Sequence, residues 1–465
     1  MSEHRPIGPV DAMWLNMDRP NNLMVIDSVM WFDETIDWER LGPLIQRRLV
    51  DRYPLFAQRP VASFIPFGTS RWEDDPDFDL SQHLRRVTLP AHGDQEALQR
   101  YVESRMSIPF DHTHPLWEVT LVEGYLSGCA LVSRFHHSLA DGLALSQVLL
   151  SLTNASPTVD LEELEAQGLS LQHPGRLVGA ARVLRDTGTQ TVRDGLHTIS
   201  LIPELANPSR VMEVLELGWA AGKIADKLLL GRNPQTPVPG EPGVDKRAVW
   251  SGPRKIKEVK RVSRLTGATV NDVLVAAVSG AVNTYLRDHG ADPVDLTTMI
   301  PVNVRPPDQP LPRELGNKFA LVYLKRPTGV RPPLERVAES KRRMDPIKVS
   351  PEAIITFGLN TLIGRIEPHL SKAMVTFFSN KAIGVTTNVI GPQQQRYVAG
   401  VPITGVVNWV PGSGRQTLGV CIFSFAGTVR VGFKVDAVRL PDAEKLVHAF
   451  DEDMDQLLHI AAKAV

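Results

Sequence analysis

Two adjacent histidines stand between a predicted strand and a predicted helix, and this junction constrains the chain most. Residues 136–142 read HHSLADG, and they follow an apolar run, residues 130–135, that is typical of a buried strand. After them, apolar residues recur at the spacing of one helix face: Leu145, Val148, Leu149 and Leu152. We therefore expect an α/β unit in which both histidines lie where the strand ends, facing a cleft while rigid elements hold their backbone.

The residue types in this loop suit proton transfer. A neutral imidazole near pH 7 can take a proton from an alcohol or amine and pass it on. Asp141 has two candidate roles, either as the N-cap of the following helix or as the partner of an arginine elsewhere in the chain. Gly142 is expected to allow a sharp turn without a Cβ clash. The alternative is structural: buried core histidines followed by an ordinary Asp-Gly turn.

The pattern HHxxxDG resembles the signature of the CoA-dependent acyltransferase superfamily. It should arise by chance in about one chain per thousand of this length. Further motifs, in family order, narrow the resemblance to bacterial wax ester synthase/diacylglycerol acyltransferases: Gly8-Pro9-Val10-Asp11, Pro115-Leu116-Trp117, Asn271-Asp272, Pro301-Val302-Asn303-Val304-Arg305, Leu315-Gly316-Asn317 and Thr387-Asn388-Val389-Ile390-Gly391-Pro392. The chain departs from the family pattern at Asn303, where Ser is usual, and at Ile390, where Pro is usual.

The resemblance implies an α/β fold of two similar chloramphenicol-acetyltransferase-like domains. Each would be a mixed sheet with helices, and an active-site tunnel would lie at their interface. A length of 465 residues also suits two domains better than one. We place the N-terminal acyltransferase domain, with its HHxxxDG motif, at residues 1–160 and a helical linker at 161–245. The C-terminal acyltransferase-like domain then occupies residues 246–465.

The resemblance further implies an O-acyltransferase that moves a long-chain fatty acyl group from acyl-CoA to diacylglycerol or a fatty alcohol. His137 would be the general base, His136 would shape the loop, and Asp141 and Gly142 would hold its geometry. In condensation-like relatives an arginine pairs with the motif aspartate, and Arg52 and Arg59 are the candidates here. Asn271 would orient or stabilise the reacting groups, although Asn271-Asp272 also fits a helix-capping pattern. We expect no acyl-enzyme, because the chain has no G-x-S-x-G elbow and neither cysteine lies in a matching motif. The residues expected to bind substrate are Trp117, Thr387 and Asn388.

Composition excludes several other classes. The formal net charge of -1 does not favour nucleic acid. Two cysteines, Cys129 and Cys421, do not suffice for a disulfide framework or a Cys-based zinc site. His112 and His114 form an H-x-H pair that could ligate zinc, but no further ligand cluster follows at a recognisable spacing. The sequence therefore predicts no metal and no cofactor, with acyl-CoA as a co-substrate.

The predicted location is cytoplasmic. No signal peptide follows Met1, and no stretch reaches the roughly 18 apolar residues of a transmembrane helix. Any contact with the inner membrane or with lipid inclusions would be peripheral.

Two alternatives stay open at this point. The first is a condensation-like transferase that takes its acyl group from a carrier protein. The second is a lipid-binding or lipid-droplet protein that has the fold without the chemistry.

A basic run at residues 254–264 either meets the phosphates of CoA or forms a solvated face.

Overall fold

The structure, a computed structural model, describes residues 5–63, 70–157, 233–304, 312–329, 331–348 and 352–464. The strands of these residues are β1 Arg5–Pro6, β2 Val25–Phe32, β3 Gln58–Val61, β4 Arg71–Asp74, β5 Leu84–Gly93, β6 Trp117–Tyr125, β7 Gly128–His136, β8 Lys246–Trp250, β9 Arg254–Lys255, β10 Thr297–Asn303, β11 Phe319–Lys325, β12 Thr386–Ile390, β13 Tyr397–Val398, β14 Val401–Pro402, β15 Gly405–Trp409, β16 Leu418–Phe425 and β17 Thr428–Asp436. The α-helices are α1 Pro9–Met17, α2 Trp38–Ile45, α3 Leu80–His83, α4 Gln95–Met106, α5 Gly142–Ser151, α6 Ile256–Thr266, α7 Val270–Asp288, α8 Pro333–Lys348, α9 Glu352–Ile363, α10 Pro368–Ser379 and α11 Glu444–Lys463.

Two five-stranded sheets repeat one pattern. The first has the order β15-β2-β7-β6-β5, and the second runs β12-β16-β17-β8, with β9 also paired to β17. In each sheet an antiparallel hairpin, β6–β7 or β16–β17, has a parallel strand on one side and an antiparallel strand on the other. The expectation of two similar domains, each a mixed sheet with helices, is confirmed.

Strand β15 comes from the second half of the chain but completes the sheet of the first half. It pairs antiparallel with β2, with Val407 opposite Val29. Gly405 suits this pairing, because a Cβ there would lie 2.3 Å from the Trp31 ring. Trp250 contacts both Trp31 and Trp409, with ring centroids 6.1 and 5.6 Å away. The two halves therefore share strands and one aromatic cluster, which the sequence did not reveal.

A buried ion network also joins the halves. Lys434 of β17 places its Nζ 2.8 Å from Asp27 Oδ2 of β2, and both side chains are more than nine-tenths buried. Arg134 of β7 lies between the other Asp27 oxygen, at 3.3 Å, and Glu118 Oε1, at 3.0 Å. Each of these charges has a buried partner, and removing one partner of a buried ion pair typically costs about 3–5 kcal/mol.

The sequence also predicts helices at residues 95–106 and 442–462, and α4 and α11 occupy these places. A third segment predicted as helical, residues 352–380, is two helices, α9 and α10, separated near Gly364. A Cβ at Gly364 would lie 2.0 Å from the Pro9 carbonyl oxygen, so the chain passes against the start of α1 there. Most of the helical linker predicted at residues 161–245 falls outside the described residues, and the part that is described, residues 233–245, contains no helix.

Among the described helices, none alone has the length and apolar character to cross a membrane. By length and composition only, the bent pair α6–α7, with 96° between its axes, passes the same test.

Candidate active site

The two motif histidines lie at the end of β7 in different environments. His136 still pairs with Val25 of β2, and the next backbone N–H, that of His137, donates to the Met24 carbonyl at 2.7 Å. His136 is fully buried, whereas His137 is half-buried. Successive side chains of a strand point to opposite faces, so the sheet itself separates the two rings.

Aromatic rings enclose the His137 imidazole. Trp14 of α1 stacks on it with ring centroids 4.6 Å apart, and Phe319 of β11 lies at 5.5 Å. Burial lowers the pKa of His137 to about 4, with the backbone and Asp141 acting in the opposite direction. The ring is therefore neutral at pH 7, as a general base requires.

Asn317 determines which ring nitrogen of His137 carries the proton. Its Nδ2 donates to the His137 carbonyl at 2.7 Å and to Asp11 Oδ1 at 2.8 Å. Both amide hydrogens are thus committed to oxygen acceptors, so Oδ1 is the atom that faces His137 Nδ1, at 3.1 Å. Since that oxygen can only accept, Nδ1 carries the hydrogen and Nε2 keeps its lone pair.

Asp11 holds Asn317 in place. Its Oδ1 accepts from the Asn317 backbone N–H and from the side-chain amide, each at 2.8 Å. Burial raises the pKa of Asp11 to about 6, although the bonds from Asn317 act against this rise. Gly316 allows the approach, because a Cβ there would already lie 3.2 Å from Asp11 Oδ2.

Asp141 joins the motif loop to the segment that carries Asn317. Its Oδ1 accepts from the Ala144 N–H at 3.0 Å, which confirms the N-cap role. Its Oδ2 accepts from the Lys318 N–H, also at 3.0 Å. The two candidate arginine partners have contacts of their own: Arg59 donates to the Thr113 carbonyl, and the Arg52 guanidinium lies over the Tyr53 ring.

The reason given for Gly142 is wrong. A Cβ on this residue would come no closer than 4.0 Å to Ile26 Cδ1, which is ordinary van der Waals contact. Its backbone is not left-handed either, since it is simply the first residue of α5 after the Asp141 cap. The turn is made by the cap, so it does not require glycine at this position.

The predicted residues of the second half lie together. Asn388 of β12 donates through Nδ2 to Asn271 Oδ1, 2.7 Å away, at the start of α7. The capping box of Thr269 and Asp272 is present, which confirms the capping interpretation, and the role of Asn271 toward the reacting groups stays a prediction. Asn388 is exposed and Thr387 is half-buried. Neither Asn271 nor Asn388 is hydrogen-bonded to His137 in the described part of the chain.

Trp117 lies in the core of the first half. It is 1% exposed, donates through Nε1 to the Phe56 carbonyl at 2.8 Å, and stacks on His83 with centroids 4.8 Å apart. These contacts are those of a structural residue, and its assignment to substrate binding stays a prediction.

Four residues that shape the site were not among the predicted site residues: Asp11, Trp14, Asn317 and Phe319. Two of them belong to motifs quoted above, GPVD and LGN, so a signal was present. What the motifs did not reveal is that Asn317, 180 residues away, contacts the histidine.

Two family models match the chain. The wax ester synthase/diacylglycerol acyltransferase catalytic domain matches residues 7–274, and the WS/DGAT C-terminal domain matches residues 315–458. A protein of Mycobacterium tuberculosis named as a putative diacylglycerol O-acyltransferase is 25% identical over 468 residues, covering 97% of this chain and 89% of its own length.

Solved structures share the fold. Wax ester synthase/diacylglycerol acyltransferase from Marinobacter aquaeolei VT8 has a TM-score of 0.68 at 19% identity, covering 98% of this chain and all of its own. The first condensation domain of the calcium-dependent antibiotic synthetase has a TM-score of 0.56 at 16% identity, covering 99% of this chain and 97% of its own.

Replacing Asp141 should destabilise the protein. Asp141→Ala removes the cap of α5 and leaves the Lys318 N–H without its acceptor, so the free energy of unfolding should fall by about 1–2 kcal/mol from the cap alone. Asp141→Asn keeps one acceptor and should lose less. Denaturant unfolding of the three proteins measures this order, and equal stability of Asp141→Ala and the wild type would contradict the capping role.

The His137 ring should titrate far below an ordinary histidine. Since its pKa is lowered to about 4, it stays neutral down to that pH and becomes protonated only below it. NMR titration of ¹³C-labelled histidine rings, with the signal assigned by its loss in His137→Gln, measures this value. A wild-type midpoint near 6.5 would contradict the enclosed site.

Proposed function

This chain belongs to the wax ester synthase/diacylglycerol acyltransferase family, and we propose that it transfers a long-chain fatty acyl group from acyl-CoA to diacylglycerol or a fatty alcohol. The product would be a triacylglycerol or a wax ester. One observation carries the proposal: the His137 ring is neutral, and Asn317 holds its hydrogen on Nδ1, so Nε2 is the basic atom.

In the proposed reaction His137 acts twice. Nε2 takes the hydroxyl proton as the alcohol oxygen attacks the thioester carbonyl carbon, which forms a tetrahedral oxyanion. The oxyanion then collapses, the C–S bond breaks, and the thiolate takes the same proton back from the imidazolium. A positioned base of this kind is typically worth about 10²–10⁴ in rate.

We assign the second polar group, Asn271, to the reacting carbonyl. Asn388 already donates to Asn271 Oδ1, so the Asn271 amide N–H groups are the ones turned toward other acceptors. An amide donor aimed at an oxyanion is typically worth about 10²–10³ in rate. Thr387, next to Asn388 on β12, would contact the substrate from the same strand.

A small, mostly apolar pocket lies beside α5, the helix that begins at the motif, and we expect the acyl chain to extend toward it. Its lining is mostly apolar and comes from both halves of the chain: Met30, Leu149, Ile403, Val406, Phe423 and Phe425.

The cysteines support direct transfer rather than an acyl-enzyme. Burial raises the pKa of the Cys129 thiol to about 11 and that of the Cys421 thiol to about 12. Both residues are therefore protonated thiols at neutral pH, and a protonated thiol is a poor nucleophile.

We further propose that the outer face of α9–α10 rests on a lipid surface. Leu362, Leu370 and Phe377 are each about half exposed, at 56, 55 and 48%. Arg365 and Lys372 lie among them with one acidic residue, Glu367, so the segment is net positive, and an anionic lipid surface would match it in charge as well as in polarity. The inner face of α10 packs against Trp14 of the site, which would bring lipid-dissolved substrates close to His137.

Thiol release tests the reaction directly. The wild type should release CoA from palmitoyl-CoA only when a diacylglycerol or hexadecanol is present, and His137→Gln should lower the rate by at least about 10². His114→Ala serves as the matched control, because His114 pairs with Asp75 outside the site, and its rate should stay near wild type.

The alternatives predict different results in the same assay. A carrier-dependent transferase would ignore free palmitoyl-CoA, and a binding protein would retain lipid without any thiol release. Near-normal turnover by a folded His137→Gln protein would eliminate the proposed base. Near-UV circular dichroism establishes that the variant is folded.

Vesicle binding tests the lipid-facing surface. The double variant Leu370→Ser/Phe377→Ser should bind anionic phospholipid vesicles about tenfold more weakly, since two apolar side chains no longer enter the lipid. Leu126→Ser is the matched control: Leu126 is 67% exposed but lies on the β6–β7 turn. Equal binding by the double variant and the control would place the contact elsewhere.

A further inference from the structure

Three potential metal ligands meet behind the motif loop. Asp18 follows α1, His112 lies in the loop before β6, and His136 ends β7. One ligand atom from each lies within 4.8 Å of the others. Within the described ranges, no other group of three or more His, Cys, Asp or Glu residues comes together in this way.

The two oxygens of the Asp18 carboxylate have different partners. Its Oδ1 accepts from the Met24 N–H at 2.6 Å. Its Oδ2 faces both imidazoles, 3.1 Å from His136 Nε2 and 3.5 Å from His112 Nε2. One carboxylate oxygen is thus placed beside two imidazole nitrogens.

His136 Nε2 faces this space without an aligned hydrogen bond. The residue is fully buried, and although Asp18 Oδ2 is 3.1 Å away, Nε2 has no partner that meets hydrogen-bond geometry. An ion about 2.1 Å from both atoms would lie roughly 40° off the line that joins them. Two atoms that bind one ion point toward the ion and not toward each other, so this pair need not be aligned for a hydrogen bond.

We propose that Asp18, His112 and His136 form a binding site for one divalent transition-metal ion. Two imidazole nitrogens and one carboxylate suit zinc better than calcium or magnesium, which prefer all-oxygen sites. His112, 42% exposed, lies on the solvent side, so an ion can enter there and a water molecule can complete a tetrahedral shell. The proposal departs from the sequence-based expectation of no metal, which found no third ligand near His112.

Ion binding changes the tautomer of His136 and not its number of protons. Without an ion, the Ser138 N–H donates to His136 Nδ1 at 3.1 Å, so the neutral ring carries its hydrogen on Nε2. Ion binding at Nε2 requires that hydrogen to move to Nδ1, where Ser138 Oγ, 2.7 Å away, accepts it. The Ser138 N–H then no longer donates to His136 Nδ1, the contact that measures 3.1 Å without the ion.

The ion would hold the motif loop in position without contacting the reacting atoms. His136 precedes His137 in the chain, and Met24 connects the two places, since its N–H donates to Asp18 and its carbonyl accepts from the His137 N–H. His136 is therefore a positioning residue in this scheme, and the His137 ring itself is not a ligand.

Metal titration of the full chain tests the site. After removal of metal with a chelator, the wild type should bind one equivalent of Zn²⁺, and one equivalent of Co²⁺ should produce the visible absorption of a tetrahedral site. His112→Ala removes one ligand from a half-exposed loop and should weaken binding by about 100-fold or more. His114→Ala, two residues away and paired with Asp75, is the matched control and should bind as the wild type does.

A second readout separates the site from scattered surface histidines. Zn²⁺ should raise the melting temperature of the wild type and of His114→Ala, but not that of His112→Ala, because only an ion held by the native fold stabilises it. Asp18→Asn keeps an acceptor for the Met24 N–H and should lose Zn²⁺ binding as well. The proposal is overturned if the wild type binds no stoichiometric Zn²⁺, or if His112→Ala binds it as tightly as the wild type.

Discussion

The site depends on the hydrogen bonds that the Asn317 carboxamide makes. It reaches across the chain to accept from the His137 ring, to donate to the His137 backbone and to donate to Asp11. Each of these bonds constrains the others, because an amide has one acceptor end and one donor end. The tautomer of the histidine is thereby set by a residue that has no titratable group of its own. Asp141 secures the same segment through the Lys318 N–H, so the motif loop and the LGN segment are held at two points.

The site therefore exists only where the two halves of the chain meet. His137 and Asp141 belong to the first half, and Asn317 and Phe319 belong to the second. Their relative position is maintained by strand β15, which crosses into the first sheet, and by the buried contact of Lys434 with Asp27. A substitution that weakened these contacts would move Asn317 away from the His137 imidazole without altering Asn317 or His137.

The adjacent histidines show how a strand end gives two identical side chains different chemistry. His137 is enclosed by Trp14 and Phe319 and stays neutral, so it can take a proton. His136 points to the other face, where it meets Asp18 and the hydroxyl of Ser138. The proposed ion would use this second face, which makes it a support for the loop rather than a participant in acyl transfer.

Local patterns determined the elements of this protein, and packing decided the site. The sequence alone identified the strand and helix around HHxxxDG, the Asp141 cap and the capping box at Thr269, because each depends on residues within one turn or one strand. It also identified the family, since its motifs are short and ordered. Only the tertiary structure brought Asn317 to His137, moved β15 into the first sheet, buried Trp117 in the core and gathered His112 with Asp18 and His136. Those contacts join residues from distant parts of the chain, where periodicity and capping carry no information about which side chains will meet.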